Sequence, residues 1–343
     1  MRRLPALNEA VRDLQFAWGL ARGAPFQVLV QVTNRCNMRC SFCDFWSNGA
    51  RPEDELGLDD YRRLSAELLG LGRFIVSIEG GEPLGRPDMV EVVRAFGAHH
   101  LPTLYTNGWY VTEALARDLW AAGLVQVGVS IDYPDAARHD GKRGPEGTWA
   151  RAWRAVEVLR DTAPHGGSQV HVMTVVMESN WRDLGALFAQ SAARGVGHVT
   201  TLLSTGGFRR GQAGPDRLPP PEAATALGAL WRRWPHVRFF REYYAHMGSF
   251  LRGGPTPTCR AGQQSFNVDH LGNVSSCIEK IDRPVGNVRR EPLAAIHARL
   301  VGLADEVARC NDCWTACRGF AQAIGGGGSP RAWRDLAARM RSR

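Results

Sequence analysis

Eight cysteines fall into two groups along the 343-residue chain. Cys36, Cys40 and Cys43 stand in the spacing C-x3-C-x2-C, with Phe42 immediately before the last. Thiolates are soft ligands, and three of them this close together have few uses. A structural zinc is normally closed by four Cys or His ligands, and no fourth Cys or His lies nearby. An iron–sulfur cluster accepts thiolates readily. Three ligands on a four-iron cube would leave one iron open for reaction. The second group is Cys259, Cys277, Cys310, Cys313 and Cys317. Four thiolates brought together by a hairpin and a Cys-x2-Cys knuckle suit zinc or an iron–sulfur cluster equally well on ligand type.

These groups need a scaffold. Residues 26–32 alternate apolar side chains and read as a buried strand. The first thiols therefore sit at the C-terminal end of a strand, where α/β folds place their chemistry. Strands at 26–32, 73–79, 101–105, 125–131, 169–177 and 197–203 alternate with helices near 58–70, 87–99, 112–122, 147–161 and 183–194. Asp59 and Thr112 stand near helix starts, and Gly123 and Gly195 near helix ends. Six β/α units predict an α/β fold with a parallel sheet curled into a partial barrel. Leu7, Val11, Leu14 and Trp18 recur at helical spacing over 4–20, which predicts a helix capping the barrel's bottom or touching lipid or a partner.

A Gly/Pro/Arg-rich break at 204–221 marks the domain boundary, with Arg209 and Arg210 in a solvated loop or reaching an anionic substrate. A helix near 222–234, a hairpin over 265–278 turning at 270–273 and a helical spacer near 291–300 follow. The expected organisation is a helical cap (1–24), the partial barrel (25–215), a small C-terminal α+β domain (216–322) and a flexible basic tail (323–343), whose last residues, 332–343, read as a short helix.

Lys and Arg number 42 against 34 Asp and Glu, so the chain is mildly basic and no nucleic-acid partner is expected. No apolar run is long enough to span a membrane, and residues 1–10 lead into no signal-peptide core. A cytoplasmic location is expected, where clustered cysteines serve metal rather than disulfides. No G-x-G-x-x-G follows a strand and no phosphate-binding loop occurs, which excludes those nucleotide chemistries.

The C-x3-C-x2-C motif with its aromatic resembles the signature of the radical S-adenosylmethionine (radical SAM) enzymes. The resemblance implies an incomplete (βα)6 barrel, a [4Fe–4S] cluster on Cys36, Cys40 and Cys43, and SAM on the open iron. It also implies an electron donor such as flavodoxin or ferredoxin. One-electron cleavage of SAM would give a 5′-deoxyadenosyl radical that abstracts hydrogen from an organic substrate. Gly80-Gly81-Glu82-Pro83 resembles the family's GGEP motif, which receives the SAM amino group, although Glu82 could instead order the loop. Thr106-Asn107-Gly108 resembles a turn near the SAM site and gives Asn107 a supporting role. The passage Ser130-Ile131-Asp132, His139-Asp140, Arg143-Gly144 resembles the stretch that contacts ribose and the SAM carboxylate. Tyr133 replaces a frequent Gly there and is expected to alter the loop and face substrate. Strand five is expected to pack on the adenine.

Downstream, C-x12-G-x4-C followed by C-x2-C resembles the SPASM auxiliary-cluster domain or its shortened twitch form. The full form has seven cysteines and two clusters. The five here imply a single auxiliary [4Fe–4S] cluster on Cys259, Cys277, Cys310 and Cys313. Cys317 then remains as an alternative ligand, an inert thiol or a hydrogen-atom donor to a substrate radical. The short stretch before the barrel favours a small-molecule substrate that is oxidised, epimerised or joined. The alternatives are a ribosomal-peptide maturase with a separate leader-binding partner, and a non-catalytic iron–sulfur or zinc scaffold.

Overall fold

The structure, a computed structural model, describes residues 3–47, 49–207, 216–237 and 241–324. Arg209, Arg210 and the helix expected at 332–343 lie outside the described residues.

Helix α1 (Arg3–Ala21) leads into β1 (Gln27–Thr33). There follow α2 (Leu58–Leu71), β2 (Ile75–Gly80), α3 (Met89–Gly97), β3 (Leu101–Thr106), α4 (Glu113–Ala121), β4 (Gln126–Ser130), α5 (Ala136–Arg143), α6 (Thr148–Thr162), β5 (Val170–Val176), α7 (Leu184–Ala193) and β6 (Gly197–Leu202). The second half carries α8 (Ala223–Arg233), α9 (Arg241–Leu251), β7 (Ser265–Val268), β8 (Asn273–Ser275), β9 (Gly286–Asn287), α10 (Leu293–Gly302), α11 (Ala304–Ala308) and α12 (Ala316–Ile324). All six expected strands form, and so do the helices between them. Thr112 caps α4, its hydroxyl accepting from Leu115 N at 3.2 Å. At α2 the capping carboxylate is Asp60 rather than Asp59, accepting from Gly57 N at 3.1 Å. Helix α5 falls where a loop was expected. Asp135 starts it by accepting from Arg138 N at 3.0 Å, and the turn places Arg143 at its end.

One sheet runs through the molecule in the order β6-β5-β4-β3-β2-β1-β7-β8-β9. Strands β1 to β6 are parallel and form the partial barrel. The outward positions Val28, Val30, Val32, Val76 and Ile78 pack under the helices in the main core, while the alternate positions face the lumen. The C-terminal hairpin joins this same sheet, with β7 lying parallel to β1 and Gln27 opposite Ser265. Every residue of β1 is buried, so its outer backbone groups need a partner, and β7 supplies them.

Helix α12 closes the other side. Its Ala316 N donates to Thr201 Oγ1 of β6 at 2.9 Å. Phe320 meets Phe26 edge-on at 6.1 Å. Phe16 and Leu20 of α1, with Phe26, Leu101, Val125, Ala321 and Ile324, seal the floor. Helix α1 thus packs through Phe16 and Leu20 rather than through the expected stripe: Leu14 and Trp18 are 68% and 65% exposed. The side chain of Leu7 lies outside those described. No described helix is long and apolar enough to cross a membrane.

Candidate functional site

The loop that leaves β1 is pinned at its stem by a buried carboxylate, Glu55. Thr33 Oγ1 donates to it at 2.5 Å, Arg35 Nη2 at 2.9 Å and Arg86 Nη1 at 3.2 Å. Arg86 also donates to Val32 O at 2.9 Å and Leu56 O at 3.1 Å. No spacing rule points to Glu55 or Arg86, because each is a single charged residue in an irregular segment. Further along, Arg39 N and Ser41 N each donate at 3.0 Å to the carbonyls of Arg143 and Lys142, so the loop lies along the end of α5.

Gly80 and Gly81 serve that loop directly. A Cβ at Gly80 would sit 2.2 Å from Thr33 O, and one at Gly81 would sit 2.2 Å from Arg35 O. Only glycine permits an approach in which Gly81 N and Glu82 N donate to those carbonyls at 2.7 and 2.9 Å. Glu82 is turned into the protein. It accepts from Leu84 N at 3.0 Å, Thr106 Oγ1 at 2.7 Å and Asn107 N at 2.7 Å, and so ties the turn after β2 to the turn after β3. Burial raises its pKa against those three donors. Pro83 is buried and opens the short turn that follows. Asn107 reaches back to the cysteine loop, donating to Asn37 Oδ1 at 2.8 Å.

Asp132 and Arg143 form a buried pair. Arg143 Nε and Nη2 donate to one Asp132 oxygen at 2.9 and 2.7 Å, and Val175 N donates to the other at 2.9 Å. Burial opposes the Arg143 charge, but Asp132 and the nearby thiols of Cys40 and Cys36 outweigh it and raise its pKa. The guanidinium lies 5.5 Å from the centre of the Phe42 ring. Ser130 and Arg143 line the cavity described next. Asp132 sits behind Arg143, bound to its guanidinium. Tyr133 does not face a substrate space. It is buried with Phe42, Met177 and Leu203, and its hydroxyl bonds Ser179 Oγ at 2.6 Å. An apolar shelf under Phe42 outcompetes exposure of the ring.

A cavity of about 870 Å³ runs from the cysteine loop down the barrel. Cys36, Cys40, Cys43, Phe42, Gly80, Gly81, Asn107, Ser130, Arg143 and Val175 surround its mouth. Burial is the main reason the thiols of Cys36 and Cys40 are pushed up to about 11 and about 12, and repulsion among the three adds to it. Such a trio loses its protons only to a strongly cationic group, which is what an iron–sulfur core offers. Among the described residues, no three or more Cys, His, Asp or Glu side chains surround one point as a single metal ion requires. A cluster instead takes its thiolates at separate corners. Three soft thiols lining one cavity are the donor type an iron–sulfur cluster takes.

Cys259, Cys277, Cys310 and Cys313 are not among the residues lining this cavity, but they sense one another, and Cys277 also senses Cys317. Burial raises the thiols of Cys277, Cys310 and Cys313. Cys313 then adds to the shift at Cys277, and Cys259 adds to those at Cys310 and Cys313. Arg318 Nη1 holds Cys313 O at 2.7 Å. None of the eight cysteines is in a disulfide. Cys317 differs from the four, because it lines the barrel cavity. It also packs with Cys43 against Leu29, Phe45, Ile278 and Ile281, so one apolar cluster joins the two cysteine groups.

The Radical SAM superfamily model matches residues 30–189. The mycofactocin maturase MftC of Mycobacterium ulcerans is 31% identical over 270 residues, covering 77% of this chain and 70% of that one. The AdoMet-dependent heme synthase of Methanosarcina barkeri is 32% identical over 186 residues, and the match spans 53% of this chain and only about half (52%) of that enzyme. Among solved structures, anSMEcpe with bound AdoMet and the Kp18Cys peptide superposes with a TM-score of 0.63 at 17% identity, covering 93% of this chain and 96% of that one. The family's use of SAM and a [4Fe–4S] cluster agrees with the thiol-lined cavity, and the chain belongs to the radical SAM superfamily.

Proposed function

We propose that the chain abstracts hydrogen from an organic substrate held in the barrel lumen, using a radical made from SAM at the mouth. The observation that carries this reading is that the three loop thiols, the Arg143 guanidinium and the Cys317 thiol share one cavity. Cys36, Cys40 and Cys43 would hold a cluster there, which would supply the electron that splits SAM into methionine and a 5′-deoxyadenosyl radical. Arg143, held by Asp132 against Phe42, takes the SAM carboxylate. The Gly80–Gly81 backbone takes the amino group and Ser130 the ribose. Glu82, Pro83 and Asn107 keep the loop in place. Cys259, Cys277, Cys310 and Cys313 hold the auxiliary [4Fe–4S] cluster.

Cys317 works on the substrate side. It gives a hydrogen atom to the substrate radical, and one electron plus one proton from the reductant that feeds the clusters restores the thiol. This suits redox-neutral chemistry such as epimerisation. The maturase relative and the peptide-bound neighbour support a peptide whose side chain enters the lumen, in place of the small molecule expected from sequence. A reducing compartment, the cytoplasm, suits eight cysteines outside any disulfide. The test is anaerobic reconstitution, with iron and sulfide counted per chain, EPR with and without SAM, and 5′-deoxyadenosine assayed. About eight irons and a SAM-perturbed signal are expected. Intact clusters with no SAM cleavage would return the chain to the scaffold reading.

A further inference from the structure

The turn that enters α12 carries a hydroxyl between two thiols. Thr315 is 4% exposed and lines the cavity. Its Oγ1 stands 3.0 Å from Cys317 Sγ on one side and 3.9 Å from Cys313 Sγ on the other, within hydrogen-bonding reach of both sulfurs. Cys317 lines the cavity, and Cys313 is one of the four thiols assigned to the auxiliary cluster. One side chain therefore touches both. Cys277 feels Cys317 as well, so the cavity thiol stands close to the auxiliary set.

The backbone on either side holds this hydroxyl in place. Before it, Trp314 is buried, its Nε1 donates to Tyr243 O at 2.8 Å and its ring stacks on Tyr243 at 5.8 Å. Tyr243 Oη donates back to Trp314 O at 3.3 Å. After it, Ala316 N donates to Thr201 Oγ1 at 2.9 Å, and Gly319 N donates to Thr315 O at 3.0 Å as the helix starts. A Cβ at Gly319 would lie 2.2 Å from the Tyr243 ring, so only glycine lets the helix seat there.

Counting protons fixes the direction of the chain. A thiolate that ligates iron has no proton and only accepts, whereas a hydroxyl has one proton to give and two lone pairs that accept. With Cys313 as a ligand, Thr315 donates to its sulfur, and Oγ1 accepts from the Cys317 S–H. A hydrogen bond to a ligand sulfur tunes a cluster's reduction potential, raising it by stabilising the added negative charge. A donor behind the hydroxyl strengthens that bond.

We propose that Thr315 is a positioning residue that holds the Cys317 S–H and, through the same hydroxyl, couples it to the reduction potential of the auxiliary cluster, so that loss of the S–H lowers that potential. The proposal rests on the reading of Cys313 as a ligand of that cluster and of Cys317 as a thiol outside it. The test is a redox titration of the fully reconstituted protein, followed by EPR on the cluster whose signal SAM leaves unperturbed. Thr315→Val keeps the shape and removes the hydroxyl. Its reduced-to-oxidised ratio at the wild-type midpoint should fall about tenfold, the scale of one hydrogen bond to a charged acceptor, and Thr315→Ser should restore it. Cys317→Ala should lower the same midpoint where Thr315 is present and leave it unmoved in the Thr315→Val background. An unmoved midpoint in loaded Thr315→Val, or an equal shift by Cys317→Ala in both backgrounds, overturns the proposal. If Thr315→Val does not load its second cluster, Cys317→Ala in the otherwise wild-type chain decides: a lowered midpoint supports the link and an unmoved one overturns it. About eight irons without these shifts defeats this proposal only, whereas zinc in the second site, or loss of about half the iron in Cys317→Ala, defeats the reading beneath it.

Discussion

Arg143 spends both Nε and Nη2 on a single oxygen of Asp132, at 2.9 and 2.7 Å, which leaves the other oxygen to accept from Val175 N on β5. The pair thus ties α5 to β5 while its guanidinium stands at the cavity mouth. The two side chains are 8% and 0% exposed. Asp132→Ala strands a buried cation, and a loss of about 3–5 kcal/mol is expected, read from urea denaturation of the apoprotein. SAM affinity should fall with it, because the guanidinium loses its anchor. An unchanged midpoint would show that the pair contributes nothing.

The two cysteine groups should separate cleanly by iron count. Changing Cys36, Cys40 and Cys43 together to Ala is expected to abolish 5′-deoxyadenosine formation while about four irons per chain remain. Retained cleavage in that variant would remove the assignment of the first cluster.

Cys317 is tested singly. Cys317→Ala should keep all of its iron and still consume SAM, with product stalled and the substrate radical visible by EPR or as an off-pathway species. Loss of about half the iron would make it a ligand of the auxiliary cluster instead.

Glu82 accepts three hydrogen bonds inside the protein. Glu82→Gln replaces one accepting oxygen with a donor that faces other donors. A loss of about 1–3 kcal/mol per unsatisfied group is expected, together with slower cluster loading as the Asn107 turn loosens from Asn37. Thermal unfolding and iron uptake measure the two effects separately.

Acid should destabilise the fold through His100. It is fully buried, with Nδ1 accepting from Phe74 N at 3.2 Å and Nε2 donating to Ser65 O at 2.9 Å. Burial lowers its pKa from 6.5 to about 4. The unfolded chain therefore takes up a proton from about pH 6.5 downward and the folded chain does not until about 4. Stability present above that window is lost as pH falls through it, by a few kcal/mol on the order of 1.4 per unit. Urea midpoints between pH 7 and 4 should fall more steeply for the wild type than for His100→Gln. Parallel slopes would acquit this residue.

The chain's local order was legible in its sequence because the signals are local. Alternating apolar residues located β1 to β6 to within about two residues. The close set Cys36, Cys40 and Cys43 announced its own chemistry, and Thr112 marked its helix start. Other features depend on partners far apart in the chain. Glu55 and Arg86 clamp the cysteine loop only because the fold brings them under Thr33 and Arg35. Tyr133 was misplaced because the shelf of Phe42, Met177 and Leu203 that buries it is built from three separate segments. The C-terminal hairpin read as part of a separate small domain, yet β7 joins the barrel because β1, buried along its whole length, cannot leave an edge unpaired. Helix α12 then closes the barrel's other side, and that docking puts Cys317 on the cavity wall.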